Sequence, residues 1–148
     1  MKNVIFVCHG NICRSPAAEW IMKHLLAKYE MQNNFNITSR ATSREEIGND
    51  IYPPMKRELL NRDIYFEHHS ANQITQKDYD WADYIFYMDN NNFQYLNYLF
   101  RDSKHKFHLI SEYSKNIDNI DDPWYSNEFE EVVDQLLICC NDIIKNIK

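Results

Sequence analysis

Apolar and polar positions along this chain fall into two alternating rhythms. Residues 4–7, Val-Ile-Phe-Val, are a short unbroken apolar run, which reads as a buried strand. Over 16–30 the apolar positions Ala18, Ile21, Met22, Leu25, Leu26 and Tyr29 recur at helical spacing. Asn33-Asn34 marks a loop, residues 35–40 alternate as a second strand, and a polar loop runs on through Asn49. Pro53-Pro54 opens a helix carrying Met55, Leu59 and Leu60 that ends near Asp63. Residues 84–88 predict a third strand. Residues 90–100 predict a short helix with Phe93, Leu96 and Leu99 or Phe100 inward, and 107–110 a fourth strand. A long loop holds Asp121-Asp122-Pro123-Trp124-Tyr125. From about 128 the chain shows a sustained stripe of Phe129, Val132, Val133, Leu136, Cys140, Ile143, Ile144 and Ile147, the last helix.

Strands alternating with helices imply an α/β domain with a parallel sheet covered on both faces. In such sheets a ligand sits at the carboxyl ends of the strands, and Cys8 lies at one of them. The 148 residues suit a single domain spanning 1–148. With 44% hydrophobic and 26% charged residues the composition is that of a globular protein. A net charge of -6 argues against nucleic acid or an anionic membrane as partner, since both favour a basic surface. The apolar run after Met1-Lys2 is too short for a signal peptide or a membrane span. The four cysteines, Cys8, Cys13, Cys139 and Cys140, cluster too unevenly for a disulfide framework. They read as the reduced thiols of a cytoplasmic protein.

One turn changes the picture from fold to chemistry. Cys8-His9-Gly10-Asn11-Ile12-Cys13-Arg14-Ser15 joins the first strand to the first helix. Ser15 suits the N-cap and Pro16 the first helical position. Inward N–H groups and the helix dipole make such a loop a concave anion site. Gly10 gives a tight loop backbone freedom, and Asn11 tolerates a left-handed conformation. Arg14 offers a planar fork matched to two phosphate oxygens. Cys8 then lies beneath a phosphate held by the backbone of His9, Gly10, Asn11, Ile12, Cys13, Arg14 and Ser15. Its thiolate is favoured by those N–H groups and by Arg14, which places a nucleophile in attack position.

The string Val7-Cys8-His9-Gly10-Asn11-Ile12-Cys13-Arg14-Ser15-Pro16, with Glu19 following, resembles the phosphate loop of the low-molecular-weight protein tyrosine phosphatases. The resemblance implies a three-layer sandwich with a four-stranded parallel sheet in order 2-1-3-4 and helices on both faces. It implies catalysis by Cys8, Arg14 and Asp122, with hydrolysis of phosphotyrosine in proteins through a phosphocysteine intermediate. Asp122-Pro123-Trp124-Tyr125 is similar to the family's late Asp-Pro followed by two aromatics, with Asp122 rather than Asp121 as the general acid that protonates the leaving group. Trp124 and Tyr125 match the pair that packs on the substrate ring. Asn11, Ser15, Ser39 and His69 match a hydrogen-bond network that supports the loop. Met88-Asp89 with Asn92 matches a string of structural role. Cys13 matches a second cysteine that traps Cys8 in a reversible disulfide, whereas Cys139 and Cys140 read as inert helix thiols.

The chain departs from the resemblance at three places. His9 stands where relatives usually carry an aliphatic residue, Glu45 where many place an aromatic at the pocket rim, and Asn72 in place of a frequent arginine. With Ile12, Trp124 and Tyr125, His9 and Glu45 are expected to line the substrate pocket and bear on substrate preference. Relatives of this fold that hydrolyse phosphoarginine carry threonine at the position of Ile12, so phosphotyrosine is the expected substrate. A disulfide-relaying arsenate reductase would need mid-chain cysteines, and none lies between Cys13 and Cys139. A non-catalytic phosphate-binding module would need neither Cys8 nor Asp122. The six histidines do not combine with cysteines at zinc spacing and no calcium-loop pattern is present. No metal or cofactor is expected, and the expected state is a monomer.

Overall fold

The computed structural model describes residues 1–147. Strands β1 (Lys2–Cys8), β2 (Phe35–Ala41), β3 (Tyr84–Tyr87) and β4 (Phe107–Leu109) form one sheet in the order β2-β1-β3-β4. Each neighbouring pair is parallel. The alternation of β1 sorts its side chains between two cores. Val4, Phe6 and Cys8 face α1 (Arg14–Lys28) and α6 (Phe129–Ile147), with Met55 and Leu59 of α2 (Pro53–Asn61) beside them. Ile5 and Val7 face the other way, onto Tyr79 of α3 (Gln76–Trp81) and Leu96 of α4 (Asn90–Leu99). The run that looked uniformly apolar thus serves two faces, and it directs Cys8 toward α1. Phe6, Met22 and Leu136 are fully buried; burying side chains of this size contributes about 1.5–3 kcal/mol each.

The expected elements are present, with differences that have local causes. Helix α1 begins at Arg14 rather than at Pro16, and its N-cap is Cys13, which makes no side-chain cap bond. Ser15 is therefore inside the helix. Its hydroxyl is engaged by Cys8 and Asn11, which removes it from capping. Helix α3 lies in a stretch where periodicity gave no element. A reciprocal capping box between Thr75 and Asp78 starts it, a signal that the sequence does carry. The long loop contains a helical turn, α5 (Pro123–Ser126), with Asp122 as N-cap. Leu60 (63% exposed) and Tyr29 (41%) lie outside the core: α2 buries Met55 and Leu59 instead, and Tyr29 is the C-cap beyond the end of α1.

Candidate active site

The turn from β1 into α1 is the centre of the site. Asn11 is its residue of positive φ, at 59°, and its side chain explains why the chain accepts that conformation. Asn11 Nδ2 donates to Ser15 Oγ (2.8 Å) and Ser39 Oγ (3.0 Å), and Oδ1 accepts from Asn72 N–H (3.2 Å). The contact from Asn72 uses backbone, so the departure in its side chain leaves the loop held. His69 Nε2 lies 2.6 Å from the Asn11 carbonyl oxygen. Gly10 is needed for a different reason from the one expected. It is not in the left-handed region, but a Cβ there would meet Glu46 Cγ at 3.2 Å, so the loss of a side chain permits close packing.

Cys8 Sγ lies 3.0 Å from Ser15 Oγ and accepts from Ser15 N–H at 3.4 Å. The network continues inward: Ser39 Oγ donates to Glu19 Oε1 at 2.7 Å, and Lys23 Nζ donates to Glu19 Oε2 at 2.7 Å. Glu19 is 9% exposed, and its i+4 pairing with Lys23 can be read from the sequence, whereas its bond to Ser39 cannot. A further signal is a carboxylate placed among the apolar positions of the first helix. Asp50 is a second supporting carboxylate that periodicity missed. It accepts from His69 N–H at 3.0 Å and from Lys56 Nζ at 2.6 Å. Partial burial would raise its pKa, but Lys56 and the N–H groups of Ile51 and His69 outweigh that and hold the carboxyl well below the usual range. Among the described residues, the backbone N–H groups of residues 9–14 donate to no protein acceptor. Gathered around Cys8 at the start of a helix, they form a cradle for an anion.

Arg14 is 2% exposed and is held from behind. Nη1 donates to Asp89 Oδ2 (2.6 Å) and to the Ile120 carbonyl (2.8 Å), while Nη2 lies 3.6 Å from Asp122 Oδ2. Burial opposes its charge, but Cys8, Asp89 and Asp122 outweigh that and raise its pKa. Asp89 therefore does more than the structural role expected of it. It caps α4 by accepting from Asn92 N–H, and its other oxygen anchors the guanidinium. Among the described residues, Nη2 and Nε donate no hydrogen bond to a protein acceptor.

Across the turn, Asp122 Oδ1 accepts from Trp124 N–H at 3.0 Å, which fixes the carboxylate while Oδ2 stays toward Arg14. Asp122 lines a cleft of about 180 Å³ together with Cys8, Ile12, Cys13, Arg14 and Trp124. His9, Gly10, Glu45, Glu46 and Tyr125 line it as well. Asp121 is exposed and does not line it. The Trp124 ring is backed by Tyr52 at 4.8 Å between centroids, a support the sequence did not reveal, whereas Tyr125 is 87% exposed. Ser39 and His69 lie behind the loop, each bonded to Asn11, and do not line the cleft. A larger groove of about 770 Å³ follows β2, between Lys23, Arg40, Lys77 and Trp81. No cysteine lines it.

The other three thiols are pushed up in pKa. Burial, followed by the charges of Cys8 and Asp122, pushes Cys13 well above its ordinary range against the pull of Arg14. Cys139 and Cys140 are fully buried in α6, and burial raises Cys139 to about 11. Among the described residues no group of three His, Cys, Asp or Glu is placed to hold a metal ion, and no helix is long and apolar enough to cross a membrane.

A family model described as low molecular weight phosphotyrosine protein phosphatase matches residues 3–148. The chain is similar to the low molecular weight phosphotyrosine protein phosphatase of Homo sapiens, 38% identical over 97% of this chain and 94% of that protein. It is also similar to the low molecular weight protein-tyrosine-phosphatase YfkJ of Bacillus subtilis, 35% identical over 100% of this chain and 97% of that one. The crystal structure of YfkJ superposes with a TM-score of 0.94 at 31% identity, covering 99% of this chain and 94% of that chain.

Proposed function

This chain belongs to the low molecular weight phosphotyrosine protein phosphatase family, and we propose that it hydrolyses phosphotyrosine in proteins by two displacements at Cys8. It is a hydrolase of phosphoproteins on the strength of that membership. The observation that carries the finer reading is that Cys8, Arg14 and Asp122, from opposite ends of the chain, line one small cleft.

In the first step the Cys8 thiolate attacks phosphorus, with the N–H groups of residues 9–14 and Arg14 Nε and Nη2 holding the equatorial oxygens. The phosphorus–oxygen bond to the aryl group breaks. Asp122, as the carboxylic acid, gives its proton to the departing phenolate. Ser15 Oγ, 3.0 Å from Sγ, stabilises the thiolate as it enters and leaves. In the second step Asp122, now a carboxylate, takes a proton from a water that attacks phosphorus. The sulfur–phosphorus bond breaks, Cys8 is regenerated as thiolate, and inorganic phosphate departs.

The shape of the cleft supports phosphotyrosine as the substrate. A flat ring reaches the floor while stacking on Trp124, whereas phosphoserine would have to draw its backbone into the slot. Ile12 lines the cleft with aliphatic bulk, so a phosphoarginine guanidinium would be desolvated there without a partner. In matched peptides, kcat/KM is expected to be highest for phosphotyrosine, and Ile12→Thr to shift selectivity toward phosphoarginine by about tenfold or more, the scale of one polar contact in a pocket. A wild-type enzyme that prefers phosphoarginine would remove the substrate assignment and leave the mechanism standing.

Cys13 shares the cleft with Cys8, and redox protection follows as a hypothesis. Peroxide oxidises Cys8 to sulfenic acid. Cys13 sulfur then displaces hydroxide, which leaves as water, and forms a disulfide that thiol reductant reopens. Wild-type activity is expected to return fully after reductant, and Cys13→Ser activity only in part. Equal recovery of the two proteins rules the trap out.

A further inference from the structure

We propose that His9 and Glu45 form a clasp at the mouth of the cleft that selects phosphotyrosine segments carrying lysine or arginine beside the phosphorylated residue. The proposal rests on the phosphotyrosine reading of this same cleft. His9 Nε2 lies 2.8 Å from Glu45 Oε2, and the His9 ring packs edge-on against Tyr95 of α4, with centroids 5.7 Å apart. The imidazole is thus pinned between an aromatic ring and a carboxylate. Through its ring N–H it holds Glu45, whose side chain is 68% exposed, in one place. Among the described residues, Glu45 Oε1 accepts from no donor, so that oxygen is available to a substrate cation.

Charge around the mouth points the same way. The charged residues lining the cleft are Arg14, Glu45, Glu46 and Asp122. Arg14 is buried at the floor, where the phosphate engages it. Above the floor lie the carboxylates of Glu45 and Glu46, while Asp122 enters the cycle as the carboxylic acid and adds no charge there. Glu46 lies against Gly10 and accepts from Asn49 Nδ2, a neutral donor, so its charge is not cancelled. Arg44, the cation of the same loop, is exposed and lies outside the lining. A phosphate dianion entering alone meets repulsion at this rim, and flanking cations on its own chain offset that repulsion. An exposed contact of this kind adds little to stability. Its effect is expected in selection.

The test uses three phosphotyrosine peptides, identical except for arginine, glutamine or glutamate on either side of the phosphorylated residue. At low salt the wild type should favour arginine over glutamate flanks by about tenfold in kcat/KM, the sum of a few exposed charge pairs. At about 0.5 M salt the ratio should shrink to about twofold, as screening predicts. Glu45→Gln and Glu46→Gln should each lower the low-salt ratio by roughly two- to threefold. His9 acts as a positioning residue. His9→Leu should lower the ratio as Glu45→Gln does, while His9→Gln, whose amide N–H can take the place of Nε2, should keep it. A wild-type ratio near one with the glutamine peptide still turned over removes the clasp and leaves the phosphatase reading intact. So does a ratio that Glu45→Gln leaves unchanged. Failure of the wild type on all three peptides rejects the reading and the clasp with it.

Discussion

Cys8→Ser should reduce hydrolysis of aryl phosphates and phosphotyrosine peptides below detection while keeping inorganic phosphate bound with near wild-type affinity. The two effects separate because different atoms carry them. Binding depends on the N–H groups of residues 9–14 and on Arg14, none of which the substitution touches. Turnover depends on a sulfur nucleophile that a serine hydroxyl cannot replace, since the loop stabilises a thiolate and holds no base to deprotonate an alcohol. The Ser15 hydroxyl remains as a hydrogen-bond partner for the new side chain, so the fold should survive. Calorimetric titration with phosphate beside a steady-state assay reads both quantities. Arg14→Lys gives the complementary result, a loss of about 10²–10³ in kcat, the usual scale for removing a preorganised charge-stabilising donor. A lysine cannot grip Asp89 and the Ile120 carbonyl from behind and still offer two donors forward. Substantial turnover by Cys8→Ser would overturn the mechanism.

The second large effect concerns the proton. Asp122→Asn should lower the rate by roughly 10²–10⁴-fold on esters with poor leaving groups, the usual contribution of general acid catalysis. The loss should be smaller on activated aryl esters, which depart with little protonation. Asparagine can still accept the hydrogen bond from Trp124 N–H, so the turn keeps its shape and the loss reports chemistry. Asp121→Asn should change the rate little, because Asp121 is exposed and outside the cleft. Plotting log kcat/KM against leaving-group pKa for wild type and both variants checks this. A steeper slope for Asp121→Asn than for Asp122→Asn would assign the acid to the other aspartate.

What could be read from the chain by itself was what contiguous residues decide. An apolar run, a turn with Asn11 able to adopt positive φ, and a helix with Pro16 in its first turn specify strand, loop and helix through local backbone preference. Cys8 and Arg14 are carried in that one segment at a set spacing. The alternation of strands and helical stripes likewise gave a parallel sheet covered on both faces, because burial periodicity is written residue by residue. Helix α1 does not start where propensity puts it, because Ser15, a good cap by propensity, finds stronger partners in Cys8 and Asn11. Those partners come from the loop's closure rather than from the helix. The tertiary structure alone decided what stands behind each reacting group. Asp89 reaches Arg14 because β3 pairs with β1 in a register that brings its carboxyl end beside the loop. Glu19 meets Ser39 because α1 packs over β2. Tyr52 backs Trp124, and His9 finds both Glu45 and Tyr95. Each of these pairs joins residues far apart in sequence, and no local preference encodes the register at which two distant segments cross. That register is settled when the two cores pack on the sheet, since only one alignment buries both apolar faces together.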